Sequence, residues 1–187
     1  MFRKVLALAI LFVTLFSGCR GEDSAMQTAL DFRGSLLSAG GCRFTADVEA
    51  DFGERIYDFT LECTYNGTDG TLNVTAPKSI AGISATVSDG SSELEFDGVS
   101  LDFGPLANGF ASPLSLPWLL GSAWTGDYIA WAGRDGDLAY VTWLKGYQEQ
   151  ELSINTWFQK NIPVRAEVLS EGRRVLTVTI EDFALAK

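Results

Sequence analysis

The 187-residue chain contains no histidine, only three cysteines and only two methionines. Without histidine there is no Ser-His-Asp or Cys-His nucleophile, no His-Glu-x-x-His zinc helix and no imidazole that titrates near neutral pH. The sequence also lacks a Gly-x-Ser-x-Gly elbow, a phosphate-binding Walker loop and a dinucleotide-binding glycine pattern. These absences predict a protein that is not an enzyme and that uses no cofactor or metal.

Positive charge is scarce, because 14 Lys and Arg residues stand against 24 Asp and Glu residues, for a formal net charge of −10. Such a chain repels polyanions, and no segment combines basic and aromatic residues into a groove that follows a phosphate backbone. We therefore expect no nucleic-acid partner. The length corresponds to one domain with one sizeable core.

The N terminus carries a long apolar run, in which Arg3 and Lys4 precede uncharged residues 5–16. The run is shorter than the roughly 20 apolar residues of a membrane-spanning helix, so it predicts a signal peptide over residues 1–18. The Gly18-Cys19 junction resembles the lipobox of bacterial lipoproteins. That resemblance implies a lipidated Cys19 carrying acyl chains such as palmitate, and a membrane anchor on the extracytoplasmic face of the cell membrane. Plain secretory cleavage is the alternative.

Residues 20–23 are then a short tether, which reaches about 14 Å if it is extended. Ser24 to Gln27 has the pattern of a capping box, so an amphipathic helix is predicted to begin at Ser24 and to end at Gly40-Gly41. A single domain is expected over residues 24–187.

A β-hairpin is predicted next, because apolar and polar residues alternate over residues 42–48 and again over residues 57–63. With a two-residue turn at Phe52-Gly53, Cys42 lies directly opposite Cys63 on the apolar face. An even pair of cysteines in an oxidising compartment predicts a disulfide there. Two buried thiols are the alternative.

Further alternating segments bounded by turn residues predict about eleven antiparallel strands in a strongly curved sheet or unclosed half-barrel, a mainly β fold class. One segment breaks this rhythm. Ser112 to Trp124 holds Pro113 and Pro117 before a nearly uncharged helical pattern that ends at Gly126. We expect this segment to form a short apolar helix, the lid, lying over the sheet.

This order of parts resembles the LolA/LolB-like lipoprotein-carrier family and its relatives among Gram-positive and mycobacterial lipoproteins. Local similarities lie at residues 76–83, 96–101, 112–114, 162–165 and 180–183. The resemblance implies an unclosed antiparallel barrel that is covered by helices and encloses an apolar cavity for acyl chains or other hydrophobic ligands. An anchored chain departs from the family's soluble shuttle, because it cannot diffuse between membranes.

The lid and the apolar face of the sheet are the predicted ligand site. A solid hydrophobic core is the alternative, since small barrels are often filled by their own side chains. The predicted lining is Trp118, Leu119, Trp124, Phe44, Phe59, Leu61, Leu72, Val74, Ile83, Phe96 and Trp143.

Two surface features were open to more than one interpretation. The predicted hairpin register places Asp47 opposite Asp58, which indicates either a bridged cation or, as expected for a solvated acidic face, no site at all. Strands 128–132 and 138–144 are apolar on both faces, which indicates either cover on both sides or an exposed patch for a partner.

The sequence thus predicts a membrane-anchored extracytoplasmic lipoprotein that binds a hydrophobic ligand, a lipid or a lipoprotein acyl chain and does not catalyse any reaction of it. Binding is expected between sheet and lid. The alternative is a structural or regulatory cell-envelope lipoprotein with a solid core that docks an envelope protein partner.

Overall fold

The computed structural model describes residues 20–89, 91–96, 99–103, 112–146 and 151–187. These residues form two α-helices, α1 (Arg20–Ala39) and α2 (Leu116–Gly126), and eleven strands. The strands are β1 (Cys42–Asp51), β2 (Ile56–Tyr65), β3 (Gly70–Ala76), β4 (Ser84–Ser88), β5 (Ser91–Phe96), β6 (Val99–Phe103), β7 (Tyr128–Asp135), β8 (Leu138–Lys145), β9 (Leu152–Gln159), β10 (Ile162–Ser170) and β11 (Arg173–Leu185). The mainly β fold class is confirmed.

All eleven strands belong to one antiparallel sheet in the order β6-β5-β4-β3-β2-β1-β11-β10-β9-β8-β7. Helix α2 contacts β3 and β8, which are six positions apart in that order. In a flat sheet they would be about 29 Å apart at roughly 4.8 Å per strand, more than twice the roughly 10–12 Å diameter of a helix. The sheet therefore curves around α2 as the predicted unclosed half-barrel.

The two faces of the sheet follow directly from the alternation in the sequence. In β1 the apolar residues at even positions are buried, while Arg43, Asp47 and Glu49 between them are exposed. We call the side that carries both helices the inner face, and the opposite side the outer face. The inner face forms the core with the helices, because alternate side chains of a strand point to opposite sides.

The register predicted for the first hairpin is wrong by two residues. Asp51 pairs with Ile56, so four residues separate the strands, and the backbone N–H of Phe52 donates to the carbonyl of Arg55 at 3.0 Å. A shift of two residues leaves every side chain on its predicted face, because the side-chain period of a strand is two. The apolar pattern alone therefore fits both registers, and the turn length decides between them.

The predicted disulfide is not formed, for the same reason. Cys63 lies opposite Phe44 and Cys42 lies opposite Tyr65, so the two cysteines are not a directly opposed pair. Both are free, buried thiols. Burial raises the pKa of Cys42 to about 12, and burial together with the neighbouring Cys42 raises the pKa of Cys63 as well.

Helix α1 differs from the prediction at its beginning. Residues 20–23 are helical, so Ser24 lies inside the helix and accepts a hydrogen bond at its carbonyl from Thr28 Oγ1 at 3.0 Å. Four helical residues span about 6 Å, less than half of the extended length expected of a tether. Residues 1–19 lie outside the described residues, so the signal peptide and the lipidation of Cys19 stay predictions. None of the helices described here has the length and apolar character needed to span a membrane.

An aromatic cluster at the centre of the inner face joins both helices to the sheet. The Trp124 ring of α2 lies 5.4 Å from the ring of Phe32 in α1, 6.0 Å from Phe44 and 6.2 Å from Phe183. Phe32 also lies 5.0 Å from Phe158 of β9. Aromatic pairs at such distances stabilise packing by about 0.5–1.5 kcal/mol each beyond their buried area.

Candidate functional site

The lid helix α2 approaches the sheet at van der Waals distance through two glycines. A Cβ added at Gly121 would lie 2.2 Å from Cγ of Tyr65, and one added at Gly70 would lie 2.2 Å from the backbone nitrogen of Trp118. Only residues without a side chain fit such approaches. The helix therefore rests directly on β2 and β3 without an intervening layer.

The apolar side of the lid is closed against the sheet. Its inward side chains are at most 1% exposed: Leu116, Leu119, Leu120, Ala123 and Trp124. The Trp124 indole N–H donates to Thr156 Oγ1 at 3.0 Å, and Thr156 is fully buried. That hydrogen bond gives each of the two buried polar groups a partner. A buried polar group without a partner would lower the stability of the folded protein.

Charged side chains surround the C-terminal end of the lid. Arg33 of α1 donates to the carbonyls of Trp124 at 3.0 Å and Asp127 at 2.6 Å. Lys145 of β8 lies 3.5 Å from the Asp127 carboxylate and 4.5 Å from the centre of the Trp118 ring. Burial raises the pKa of Asp127, and the attraction of Lys145 and Arg33 offsets only part of that effect. Burial also lowers the pKa of Arg33.

An open groove of about 430 Å³ lies along one side of the lid. Trp118 and Ser122 of α2 form one wall, and Lys145 lies at the same opening. Asp69 and Asp89 contribute carboxylates from the turns that follow β2 and β4. The groove thus has a mixed polar and aromatic lining at the edge of the lid.

The helices cover the two arms of the inner face unequally. On the β8–β9 side Trp143 and Ile154 are fully buried. On the β4–β6 side Ile83 is half-buried, Phe96 is 45% exposed and Val99 is 60% exposed. Phe96 and Val99 are cross-strand partners at the end of β5 and β6. An apolar strip on the inner face, at the end of the β5–β6 hairpin, is therefore exposed to solvent.

The residues predicted to line the ligand site occupy three kinds of position. Phe44, Leu61, Leu72, Val74, Leu119, Trp124 and Trp143 are buried in the core. Phe59, Ile83 and Trp118 are half-buried at its margin and pack against it. Phe96 lies at the exposed strip. The structure thus brings most of the set together around the lid, and their role in ligand binding stays a prediction.

Sequence reasoning missed the residues that hold the lid from other parts of the chain. Phe32 and Arg33 of α1, Thr156 of β9 and Phe183 of β11 all contact it or its cluster. The one signal in the sequence is the amphipathic pattern of the predicted helix, which places Phe32 on its apolar face with Ala29 and Leu36. Arg33 and Thr156 had none, because each contact joins segments more than 30 residues apart.

One buried polar group of the inner face has no partner. Within the described part of the chain, Trp143 Nε1 is the buried side-chain nitrogen or oxygen without a hydrogen bond. Trp143 lies on β8 between cross-strand partners Ile129 and Ile154, and its ring centre is 5.9 Å from that of Phe158. The indole N–H thus lies among apolar side chains.

On the outer face, the predicted opposition of two aspartates is wrong because of the register shift. Asp47 lies opposite Thr60, whose hydroxyl donates to the Asp47 carboxylate at 2.8 Å, and Asp58 lies opposite Glu49. These residues line an open groove of about 520 Å³ with Pro77. Among the described residues, no group of three or more His, Cys, Asp or Glu side chains is arranged to hold a metal ion.

The outer face of the other arm carries a row of aromatic side chains. Ring centres are 5.1 Å apart for Trp131 and Tyr140, and 4.7 Å apart for Tyr140 and Trp157. The Arg165 guanidinium lies 4.6 Å from the Trp157 ring, and the Trp157 N–H donates to Asp135 at 2.8 Å. No helix covers this row among the described residues. Strands β7 and β8, which are apolar on both faces, therefore contribute to the core on the inner face and to the aromatic row on the outer face.

Comparison of whole structures gives the fold a name. A domain assigned to outer-membrane lipoprotein sorting in Vibrio parahaemolyticus superposes with a TM-score of 0.50 over 87% of this chain and 92% of that one, at 8% identity. The protein has a LolA-like fold.

Two other solved structures are similar to this chain. A LolA superfamily protein from Nitrosomonas europaea gives a TM-score of 0.45 at 13% identity, over 89% of this chain and 94% of that one. The lipoprotein LppX from Mycobacterium tuberculosis gives 0.43 at 12% identity, over 86% and 93%. The sequence itself matches no protein-family model and no curated protein. At these identities the likeness defines the fold alone.

Proposed function

We propose that the protein binds a hydrophobic ligand, an acyl lipid or the acyl chains of a lipoprotein, between the inner face of the sheet and the lid. The observation that carries this proposal is the apolar strip at the end of the β5–β6 hairpin. Phe96 and Val99 belong to the face that forms the core, yet they are exposed. Exposed apolar side chains on the inner face favour an apolar ligand over a polar one.

The driving force is the burial of apolar surface. Each methylene removed from water contributes about 0.8 kcal/mol, so ten methylenes of an acyl chain contribute roughly 8 kcal/mol before the costs of association. The ligand has to enter beside or beneath α2, because the inward side chains of the lid are buried against the sheet. The half-buried Trp118 lines the groove, so a ligand meets the lid at this edge first.

The location follows from the N terminus. Export by residues 1–18 and acylation of Cys19 place the domain at the extracytoplasmic face of the cell membrane, close to the bilayer. The helical residues 20–23 support this proposal, since they span only about 6 Å. The protein then receives or presents its ligand at the membrane that anchors it.

A displacement assay on the full chain, exported and purified from a bacterial envelope, tests the site. A fluorescent fatty acid serves as the probe. Phe96→Asp places a charge in the exposed strip and is expected to weaken binding at least tenfold, because a buried unpaired carboxylate is costly. Ile162→Asp is the matched control, since Ile162 is 48% exposed on β10. Equal binding by both variants would overturn the proposal.

A second candidate function, docking of an envelope protein, is favoured by the outer aromatic row. Trp131 is 45% exposed, and its neighbour Tyr128 on the edge strand β7 is 70% exposed. Exposed aromatic side chains are enriched in protein interfaces. A Trp131→Ser variant that binds the fatty acid normally but loses a cross-linked envelope partner would establish this function.

A further inference from the structure

The three most buried tryptophans of the described chain differ in one respect. Trp124 donates its indole N–H to Thr156, and Trp157 donates to Asp135. Trp143 is fully buried and donates to no group. An unpartnered buried donor is destabilising, whereas an apolar ring of similar shape at the same place would not be. The exception therefore calls for a physical reason.

The position of Trp143 suggests what that reason is. It lies on the inner face of β8, one of the strands that α2 contacts. The side chains of its neighbours Ile129, Ile154 and Phe158 carry no hydrogen-bond acceptor. Lys145, two residues further along the same strand, lies at the groove beside the lid. The donor thus lies on the same face of the same strand as a residue of the groove, and a ligand that enters at the groove and displaces the edge of the lid would meet it.

We infer that the Trp143 indole N–H donates to a carbonyl oxygen of the bound ligand. This inference rests on the proposed function and deepens it, because it names the ligand as an ester- or amide-linked acyl compound rather than a plain hydrocarbon. The acyl chain lies against the apolar side chains, and its linkage carbonyl accepts the hydrogen bond. Hydrogen bonding between neutral groups in a dry site selects for the acceptor about three- to tenfold.

The test uses the full chain and two probes that differ in one carbonyl. 1-Monopalmitoylglycerol has an ester carbonyl, and 1-O-hexadecylglycerol has an ether linkage at the same place. The wild-type protein is expected to bind the ester about three- to tenfold more tightly. Trp143→Phe keeps an aromatic ring but removes the donor, so it is expected to bind both probes with equal affinity. Trp124→Phe, which loses a donor already paired within the protein, is expected to keep the preference.

A second measurement on the wild-type protein does not depend on the folding of any variant. With ¹⁵N-labelled tryptophan, the ester probe is expected to shift one buried indole N–H signal downfield, and the ether probe is expected not to. Equal affinity of the wild-type protein for the two probes, or a preference that survives in Trp143→Phe, overturns the inference alone. If neither probe binds, the proposed function fails and the inference fails with it.

Discussion

Replacing Gly121 by alanine tests how closely the lid lies on the sheet. The new Cβ would lie 2.2 Å from Tyr65 Cγ and 2.5 Å from both Cδ atoms, and the ring is 3% exposed. Ordinary contact begins near 3.4 Å, so the lid or the ring has to move by more than 1 Å. Such overpacking costs up to about 3 kcal/mol. The better helix propensity of alanine returns about 1 kcal/mol, which leaves a net loss of about 2 kcal/mol.

Gly34→Ala is the matched control for this change. Gly34 also lies inside a helix, but a Cβ there would have no other atom within 4 Å. Alanine at Gly34 is expected to raise the free energy of unfolding by about 0.5–1 kcal/mol. Urea denaturation of both variants gives the two values. Stabilisation by Gly121→Ala as large as that by Gly34→Ala would refute the close packing of the lid.

Two further predictions concern buried titratable groups. The thiols of Cys42 and Cys63 are expected to resist alkylation at pH 8 in the folded protein and to react in urea, because burial raises both pKa values. Mass spectrometry counts the alkylated cysteines. Rapid alkylation of the folded protein would contradict the burial of these thiols. For Asp127, a raised pKa means that the folded state binds the proton of this carboxyl group more tightly than the unfolded chain does. Proton binding therefore adds to the free energy of unfolding below the ordinary pKa of aspartate, and this contribution is lost as the pH rises through the raised pKa. Asp127→Asn is therefore expected to be more stable than the wild type at pH 7, with a difference that shrinks towards pH 4 in urea titrations. A variant less stable at pH 7 would show that the Lys145 ion pair dominates.

Much of the fold could be predicted because its signals are local. Alternation with period two located the strands, and turn residues such as Asp135–Gly136 separated them. The lid was identified by the absence of charge after Pro113 and Pro117, and it ends at Gly126 as expected. It begins at Leu116, earlier than the predicted helical pattern, because a proline is tolerated in the first turn of a helix. These features depend only on neighbouring residues, so the sequence carries them in full.

The rest depends on contacts that a local pattern does not contain. The hairpin register was wrong because inner-face alternation is unchanged by a two-residue shift, and only the geometry of residues 52–55 selects the longer turn. The disulfide prediction failed with it. The sequence also does not indicate which parts of the inner face the helices cover. Trp143 and Phe96 both occupy inner-face positions of alternating strands, yet Trp143 is fully buried and Phe96 is exposed.

Mass spectrometry of the full chain, exported through a bacterial envelope and extracted with solvent, tests whether the protein carries a lipid. We expect one acyl compound with an ester or amide linkage for each protein molecule, and its loss in a Trp118→Asp variant that places a charge at the edge of the lid. A protein that leaves the envelope without such a compound, and that also takes up none when lipids are added, would refute ligand binding by this fold.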